Sequence, residues 1–270
     1  MTLNKLIFTS FFFIFFCSCN NNDIEKNEPT NYIVLIIGQS NTHAGIGFDS
    51  ELDKPVETIK QLGRFGNDNM QIVPAIEPLQ HHTPSENKIG FGLTFSKLLK
   101  DYLNTEKNII LVPSGYGGTG FIDERWNKGN DLYNDAVIRV KTLIQRYPGS
   151  KLVSILWHQG ETDVIYGNSS YQNDLDNFII NLRSDLNAFD VPFILGGMVP
   201  FWVDEFKERQ QQQEIISNTI NRHNFIGYAN PEFPFRIEKE DNLHDVIHFD
   251  ADGQRELGKR YFKEYLRLID

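Results

Sequence analysis

The stretch YIVLIIGQSN, residues 32–41, joins an uninterrupted apolar run to a small polar tetrapeptide. An apolar run of this length is typical of a strand buried on both faces of a parallel sheet. Gly, Ser and Asn favour turns, because Gly tolerates a positive φ and the other two bond to nearby backbone. The stretch therefore predicts a buried strand over Tyr32–Ile37, followed by a turn that carries Ser40.

The rest of the chain alternates similar apolar runs with longer amphipathic segments. Four further runs predict strands over Asn108–Pro113, Lys151–Trp157, Val191–Met198 and Asn224–Ala229. Helical segments are predicted over Phe91–Leu103, Leu132–Tyr147, Tyr171–Phe189, Glu205–Arg222 and Ala251–Ile269. Strands that alternate with helices indicate βαβ units. We therefore predict one domain over residues 31–270, a three-layer α/β/α sandwich with a doubly wound, mostly parallel sheet.

The composition limits the class of protein. A chain of 270 residues with 40% hydrophobic residues suits one large globular domain. The formal net charge of −10 argues against a general nucleic-acid surface, because phosphate binding needs a basic face. We therefore expect no nucleic-acid partner.

The first residues predict an export signal. A basic start and an apolar run over residues 6–16 precede two cysteines, and the run is well short of the about 20 residues that span a bilayer. The ending resembles a bacterial lipoprotein signal: Cys19 follows a small residue and fits the lipidated position, whereas Cys17 follows a bulky one. We expect a signal over residues 1–19, a flexible tether over 20–30 and a membrane anchor at Cys19, with simple secretion as the alternative.

Both cysteines of the chain lie in this signal. The remaining domain therefore has no disulfide, no thiol nucleophile and no cysteine ligand for a metal. An exported domain of roughly 240 residues is large enough to depend on its hydrophobic core alone.

Four segments place polar residues next to predicted strand ends or before the closing helix. They are Gly38–Asn41, Ser114–Gly120, His158–Asp163 and His244–Asp250. Each has a plainer interpretation by itself, since glycines form turns, a histidine can cap a helix and carboxylates are often solvated. Ligands of open α/β sheets, however, bind beyond the carboxyl ends of the strands. The four segments together therefore predict one site.

The residue types in these segments suit hydrolysis by a serine. The Ser40 hydroxyl is a weak nucleophile until a base takes its proton, and a histidine such as His248 can act as that base near neutral pH. Asp245 can orient the imidazole and stabilise its cation. Glycine turns and the Gln159 amide can present N–H groups to a developing oxyanion.

The four segments resemble the SGNH (GDSL-like) hydrolase superfamily. Within it they are similar to the sialate O-acetylesterase and acetylxylan esterase group, carbohydrate esterase family six. The resemblance covers residues 32 to about 262 and includes the Ala75–Leu79 element. The matching motifs are Gly38-Gln39-Ser40-Asn41, Gly117-Gly118, Trp157-His158-Gln159-Gly160-Glu161-Thr162-Asp163 and Asp245-Val246-Ile247-His248.

The resemblance implies a flavodoxin-like SGNH fold and a role for each matching residue. The implied nucleophile is Ser40, with His248 as its base and Asp245 as the partner of His248. The implied oxyanion donors are the N–H groups of Ser40 and Gly118 and the Gln159 side chain, which replaces the asparagine of other SGNH enzymes. The residues expected to shape the site are Asn41, Gly117, Glu161 and Asp163. His43 departs from the family pattern, where a small apolar residue is common.

The sequence therefore predicts a serine esterase that removes O-acetyl groups from carbohydrates outside the cytoplasm, through an acetyl-enzyme and without a metal or other cofactor. Sialic acid and acetylated polysaccharides such as xylan both stay open as substrates, and we expect residues 48–84 and 201–208 to build the walls that choose between them. One alternative is a metal-dependent hydrolase that uses His244, Asp245 and His248. Another is a carbohydrate-binding lipoprotein that has the fold without the reaction.

Overall fold

A computed structural model describes residues 29–239 and 245–270. The expected signal over residues 1–19, most of the expected tether and His244 lie outside the described residues. Thr30, which the sequence assigned to the tether, donates its N–H to the Gly149 carbonyl at 3.0 Å. The folded domain therefore includes at least this one residue before the predicted boundary.

A seven-stranded sheet forms the centre of the domain, in the order β4-β3-β6-β1-β7-β8-β9. Its strands are β1 (Asn31–Gly38), β3 (Ile59–Leu62), β4 (Ile72–Pro74), β6 (Asn108–Pro113), β7 (Lys151–His158), β8 (Phe193–Gly196) and β9 (Ile226–Ala229). The five strands predicted from the sequence all form and run parallel. Numbered along the chain, they lie in the order 2-1-3-4-5, which is the flavodoxin-like order.

The segment between residues 48 and 84 contains more regular structure than the sequence predicted. Strand β3 pairs in parallel with β6, and β4 pairs antiparallel with β3 to end the sheet. A separate ribbon joins β2 (Gly45–Ile46) to β5 (Lys88–Ile89). Two of its strands thus extend the sheet, and the role of this segment in the walls of the site stays a prediction.

Helices pack against the central sheet. The long helices are α1 (Gly92–Leu103), α2 (Asp131–Arg146), α4 (Tyr171–Leu186), α6 (Lys207–Ser217) and α7 (Ala251–Ile269), and the short ones are α3 (Glu161–Ile165) and α5 (Pro200–Asp204). Helices α1 and α7 pack against each other, and α4 packs against both α2 and α6. The predicted α/β/α class is confirmed.

The helix predicted over Glu205–Arg222 forms as α6, Lys207–Ser217, and continues as a 3₁₀ turn over Asn218–Asn221. Pro200 starts α5, which ends at Asp204, and Phe206 then adopts an extended conformation before α6 begins at Lys207. Proline suits a first helical turn because it needs no N–H partner there. The sequence prediction missed α5, which lies N-terminal to the polar, Gln-rich pattern from which the longer helix was inferred.

Candidate active site

The nucleophile turn, residues 38–41, carries the predicted nucleophile Ser40 and lies where β1 and β7 end side by side. Gly38 pairs with His158 across the two strands, and Gln39 donates its N–H to the His158 carbonyl at 2.8 Å. Gly38 has a φ of +125°, and a Cβ at this position would lie 2.1 Å from that carbonyl oxygen. Only glycine fits here, so the close contact fixes where the following residues, Ser40–Thr42, form a single tight helical turn.

Ser40, His248 and Asp245 form a continuous hydrogen-bonded chain. The Ser40 Oγ lies 2.7 Å from His248 Nε2, and His248 Nδ1 lies 2.9 Å from Asp245 Oδ2. The other Asp245 oxygen accepts the His248 backbone N–H at 3.1 Å. A carboxylate accepts hydrogen bonds, so Nδ1 carries the proton and Nε2 is free to accept from the serine hydroxyl. This is the arrangement that activates a serine nucleophile.

The charges near Asp245 keep its carboxyl ionised. Burial alone would raise the pKa of Asp245, but the hydrogen bond from His248 and the nearby Lys239 outweigh it and hold the pKa below its ordinary value. Lys239 Nζ also donates to the backbone carbonyls of Asp245 and His248, the latter at 3.2 Å. Lys239 therefore stabilises the ionised carboxylate and ties together the two ends of the 245–248 segment, named the catalytic loop for its predicted role.

Asn41 connects the nucleophile turn to the loop that carries His248. Its side-chain amide donates to Glu161 Oε1 at 2.6 Å and to the Ile247 carbonyl at 2.9 Å. Its Oδ1 accepts the Phe249 N–H at 3.1 Å. These bonds hold the residues on both sides of His248, so Asn41 fixes the distance between Ser40 and His248.

The glycine turn, residues 115–118, lies beside Ser40. A Cβ on Gly117 would be 3.7 Å from Ser40 Cβ, and the Gly117 N–H donates to Thr83 Oγ1 at 3.1 Å. Gly118 has a φ of +71°, with no atom within 4 Å of an added Cβ. Within the described ranges its N–H, like that of Ser40, has no protein acceptor. Both groups are available to a bound oxygen.

Gln159 is placed behind the turn and is completely buried. Its Nε2 faces three acceptors: Asp163 Oδ2 at 2.5 Å, Gln39 Oε1 at 3.2 Å and the Thr119 carbonyl at 3.4 Å. An amide nitrogen has two N–H groups, so these acceptors engage both of them in this structure. The oxyanion role of Gln159 stays a prediction, and it requires the amide to exchange one of these partners for the substrate oxygen.

The two carboxyl groups of the same segment have supporting positions. Asp163 accepts the N–H groups of Phe121 and Ile122, each at 2.9 Å, and the Asn168 amide at 2.7 Å. Glu161 Oε1 accepts from Asn41 and lies 3.8 Å from His158 Nε2. Burial raises the pKa of Glu161 to about 7 and lowers that of His158, beside His248, to about 3. Both carboxyl groups are held by hydrogen bonds next to the turn that carries Ser40, and their site-shaping role stays a prediction.

The chain is similar to known carbohydrate esterases over nearly its whole length. Residues 30–267 match the family described as carbohydrate esterase, sialic acid-specific acetylesterase. A probable carbohydrate esterase of Arabidopsis thaliana is 30% identical over 264 residues, which are 90% of this chain and 94% of the relative. A probable 9-O-acetyl-N-acetylneuraminic acid deacetylase of Escherichia coli is 23% identical over 245 residues, 70% of this chain and 75% of the relative.

Solved structures show the same fold. The structure of NanS matches with a TM-score of 0.77 at 19% identity, over 89% of this chain and 98% of that chain. A carbohydrate acetylesterase from Xanthomonas citri matches with a TM-score of 0.61 at 17% identity, over 87% of this chain and 56% of that chain. The chain belongs to the carbohydrate esterase family of sialic acid-specific acetylesterases. The resemblance and the enzyme class inferred from the sequence, a carboxylic ester hydrolase, are thereby confirmed.

Several residues near the site have no counterpart in the sequence prediction. Lys239 holds the catalytic loop, Gln39 Oε1 accepts the Thr162 N–H at 3.1 Å, and Thr83 accepts the Gly117 N–H. Lys239 and Thr83 lie outside the motifs, and Gln39 lies in the Gly38–Asn41 motif but had been given no role. The one signal in the sequence was His43, whose departure from the family pattern marked the turn as unusual.

Proposed function

We propose that Ser40, His248 and Asp245 perform the carbohydrate O-acetyl hydrolysis that the family carries out. The supporting observation is the short chain from Ser40 Oγ to His248 Nε2 and from His248 Nδ1 to Asp245. The site lies at the carboxyl ends of β1 and β7, where open α/β folds bind their ligands.

In the first half of the reaction, the Ser40 oxygen attacks the acetyl carbonyl carbon while its proton moves to His248 Nε2. The carbonyl oxygen becomes an oxyanion, which the N–H groups of Ser40 and Gly118 stabilise. His248 then gives its proton to the sugar oxygen, and the bond between that oxygen and the acetyl carbon breaks, so the sugar leaves as a free hydroxyl. The products of this half are the free sugar and an acetyl ester on Ser40.

In the second half, His248 takes a proton from water, whose oxygen attacks the acetyl ester on Ser40. The tetrahedral intermediate uses the same oxyanion donors. Its collapse returns the proton to the Ser40 oxygen and releases acetate, so the site is regenerated. Asp245 stays ionised throughout and stabilises the imidazolium that forms in each half.

O-acetylated sialic acid is the substrate that we propose to test first. The family description and the name of the Escherichia coli relative both point to sialic acid. A panel of O-acetylated sialosides and acetylated xylo-oligosaccharides decides the question, with acetate release as the measurement. We expect the higher kcat/KM on the sialosides, and a preference for xylan fragments would contradict this assignment.

Substitution of the nucleophile tests the mechanism. Ser40→Ala is expected to remove turnover of a small chromogenic acetyl ester while the melting temperature and sugar binding stay unchanged. Ser217→Ala, at the end of α6, is the matched control and should keep full activity. A Ser40→Ala enzyme with near-normal kcat would remove the proposed mechanism.

The metal-dependent alternative lacks support in the described part of the chain. Both ring nitrogens of His248 are engaged, one with Ser40 and one with Asp245. Residues 29–239 and 245–270 contain no group of three or more His, Cys, Asp or Glu side chains placed to hold a metal ion. Activity should survive prolonged EDTA, and a loss that zinc restores would favour the alternative.

The non-catalytic alternative makes a different prediction. A protein that only binds sugar has no need for a serine hydrogen-bonded to a histidine and a carboxylate, whereas that contact is present here. Failure to hydrolyse any acetyl ester, with sugar binding still measurable, would favour the binding role. Hydrolysis of 4-nitrophenyl acetate by the wild type and not by Ser40→Ala would exclude it.

We also propose export and a lipid anchor at Cys19, on the basis of the signal-like sequence over residues 1–19. Among the described residues no helix is both long and apolar enough to cross a bilayer. Cys19→Ala should shift the protein from the membrane fraction to the soluble fraction or stop its processing. Cys17→Ala is the matched control and should leave the fractionation unchanged; membrane association of Cys19→Ala would contradict the anchor.

A further inference from the structure

Three side chains outside the family motifs, those of Thr42, His43 and Thr83, connect the nucleophile turn to the glycine turn. The His43 ring lies with Nδ1 2.7 Å from Thr42 Oγ1 and Nε2 3.1 Å from Thr83 Oγ1. Thr83 Oγ1 in turn accepts the Gly117 N–H at 3.1 Å. Thr42 Oγ1 reaches back to the Gln39 carbonyl at 2.7 Å. The contacts form one path from the residue before Ser40 to the residue before Gly118.

The direction of each hydrogen bond follows from the single proton on each hydroxyl. A carbonyl only accepts, so Thr42 donates its hydroxyl proton to Gln39 and must accept from His43 Nδ1–H. Burial, assisted by the charge of His248, lowers the pKa of His43 to about 3, so the ring is neutral and its Nε2 is without a proton. Thr83 then donates to Nε2, which leaves its oxygen lone pairs for the Gly117 N–H.

The surrounding contacts make this path rigid. His43 is buried and stacks on His81 with ring centroids 4.8 Å apart. His81 Nδ1 accepts the Gly115 N–H at 3.0 Å, and the His82 N–H donates to the Gly115 carbonyl at 2.9 Å. The 81–83 segment therefore lies along the glycine turn at three points, and His43 fixes that segment to the nucleophile turn.

We propose that His43 and Thr83 are positioning residues, which hold the glycine turn so that the Gly118 N–H and the Ser40 N–H point at the same substrate oxygen. The proposal rests on the oxyanion role of these two N–H groups given above. With its own N–H bound to Thr83, Gly117 serves as the fixed point and leaves its neighbour free to donate. Such a role affects the transition state more than the bound substrate, because the oxyanion exists only there.

The experiment compares Thr83→Val, which is close in shape but lacks the hydroxyl, with Thr83→Ser, which restores it. Using 4-nitrophenyl acetate, we expect Thr83→Val to lower kcat about tenfold, the size of one lost hydrogen bond, with KM little changed. The melting temperature should fall modestly, because the buried His43 Nε2 loses its partner. Thr83→Ser should return kcat to near the wild-type value. Thr83→Ala is the second variant, for the case in which the additional methyl group of valine disturbs the fold. It also removes the hydroxyl and should show the same tenfold loss of kcat.

A double-mutant cycle with His43→Leu tests whether the two residues act as one path. If the two residues act on one path, the fold loss of kcat in the double variant should be smaller than the product of the losses in the two single variants. Multiplicative losses, a change in KM alone, or a lower melting temperature with wild-type kcat would overturn the proposal. Ser40→Ala run in parallel separates the failures: if it is inactive while Thr83→Val is fully active, only the positioning role is wrong, whereas an active Ser40→Ala removes the mechanism on which that role rests.

Discussion

His248 and Asp245 keep 22% and 24% of their side-chain surface exposed, whereas Gln159, Glu161 and Asp163 behind them are fully buried. His248 in this exposed pair has few partners: each nitrogen of its imidazole has one, Asp245 on one side and Ser40, the proposed nucleophile, on the other. The three buried residues, named here the wall, have many hydrogen-bond partners. Asp163 alone accepts from two backbone N–H groups and two side-chain amides.

The difference in exposure indicates that the two groups of residues have different roles. A group that moves protons must be open to substrate and must not be held by several competing donors or acceptors. A buried polar group must instead find partners, because an unpaired one costs about 1–3 kcal/mol. We therefore expect changes in the exposed pair to affect rate, and changes in the wall to affect both stability and the geometry of the pair.

The largest loss is expected from the exposed pair. Asp245→Asn replaces a carboxylate that stabilises the imidazolium with a neutral amide, and kcat should fall on the order of 10³- to 10⁴-fold. The matched control is Asp176→Asn, because Asp176 also contacts a histidine, His223 Nε2 at 2.9 Å, in a pair that includes no serine. A loss of less than about tenfold in Asp245→Asn would mean that the carboxylate only orients the ring.

Gln159 lies on the boundary between the two regions, and its substitution sharpens the comparison. If its amide reaches the oxyanion, Gln159→Ala should lower kcat about 10²- to 10³-fold with KM unchanged. Gln159→Glu should be at least as slow, since a carboxylate would face the developing negative charge. If Gln159 only satisfies Asp163 and Gln39, both variants lose melting temperature and keep kcat per folded molecule, and the oxyanion role is refuted.

The pH profile tests whether the exposed histidine alone controls the rate. Measured from about pH 5 to 8, activity should fall on the acid side, because a histidine that acts as a general base must be neutral to accept a proton. The lowered pKa of Asp245 keeps its carboxylate charged through this window. Burial, reinforced by the charge of His248, keeps the pKa values of His43 and His158 near 3, so neither titrates there. A flat profile would contradict His248 as the base.

Glu161→Gln should have the smallest effect on rate, within about threefold, because glutamine keeps an oxygen that can accept from Asn41. Its effect is on the pH dependence of stability. Burial raises the folded-state pKa of Glu161 from 4.5 to about 7, so its contribution is complete below pH 4.5 and is lost as the pH rises toward 7. The expected loss in the free energy of unfolding is roughly 3 kcal/mol, since each unit of pKa shift corresponds to about 1.4 kcal/mol.

Melting temperatures at pH 5 and pH 8 measure this contribution. The wild type should lose more stability over the interval than Glu161→Gln. Glu77, whose pKa burial raises to about 8, is present in both proteins and cancels in the difference. Equal losses in the two proteins would show that Glu161 is ionised in the fold at both pH values.

The central part of the fold could be predicted from the sequence because its parallel strands are buried on both faces. Strand β1 is buried along its whole length, and such strands appear as continuous apolar runs. Strand β3, Ile59-Lys60-Gln61-Leu62, mixes polar and apolar residues next to the sheet edge, and α3 has only five residues. Neither is long enough for a periodic pattern to be visible.

The site could be predicted only as far as its residues lie in motifs. The strand-end rule placed Ser40, Asp245 and His248 in one site, and the structure brings them into contact. Thr83 and Lys239 act through contacts with the backbone of distant residues, at Gly117 and at the catalytic loop. Such contacts depend on how loops pack, which no local pattern encodes.

Active-site labelling tests the central claim most directly. A fluorophosphonate reacts with an activated serine hydroxyl, and peptide mass spectrometry then identifies the modified residue. We expect one adduct per chain, on Ser40, in the wild type, and strongly reduced labelling in His248→Ala, because the hydroxyl is activated through His248 Nε2 at 2.7 Å. An adduct on another serine, or equal labelling of Ser40 in His248→Ala, would contradict the account.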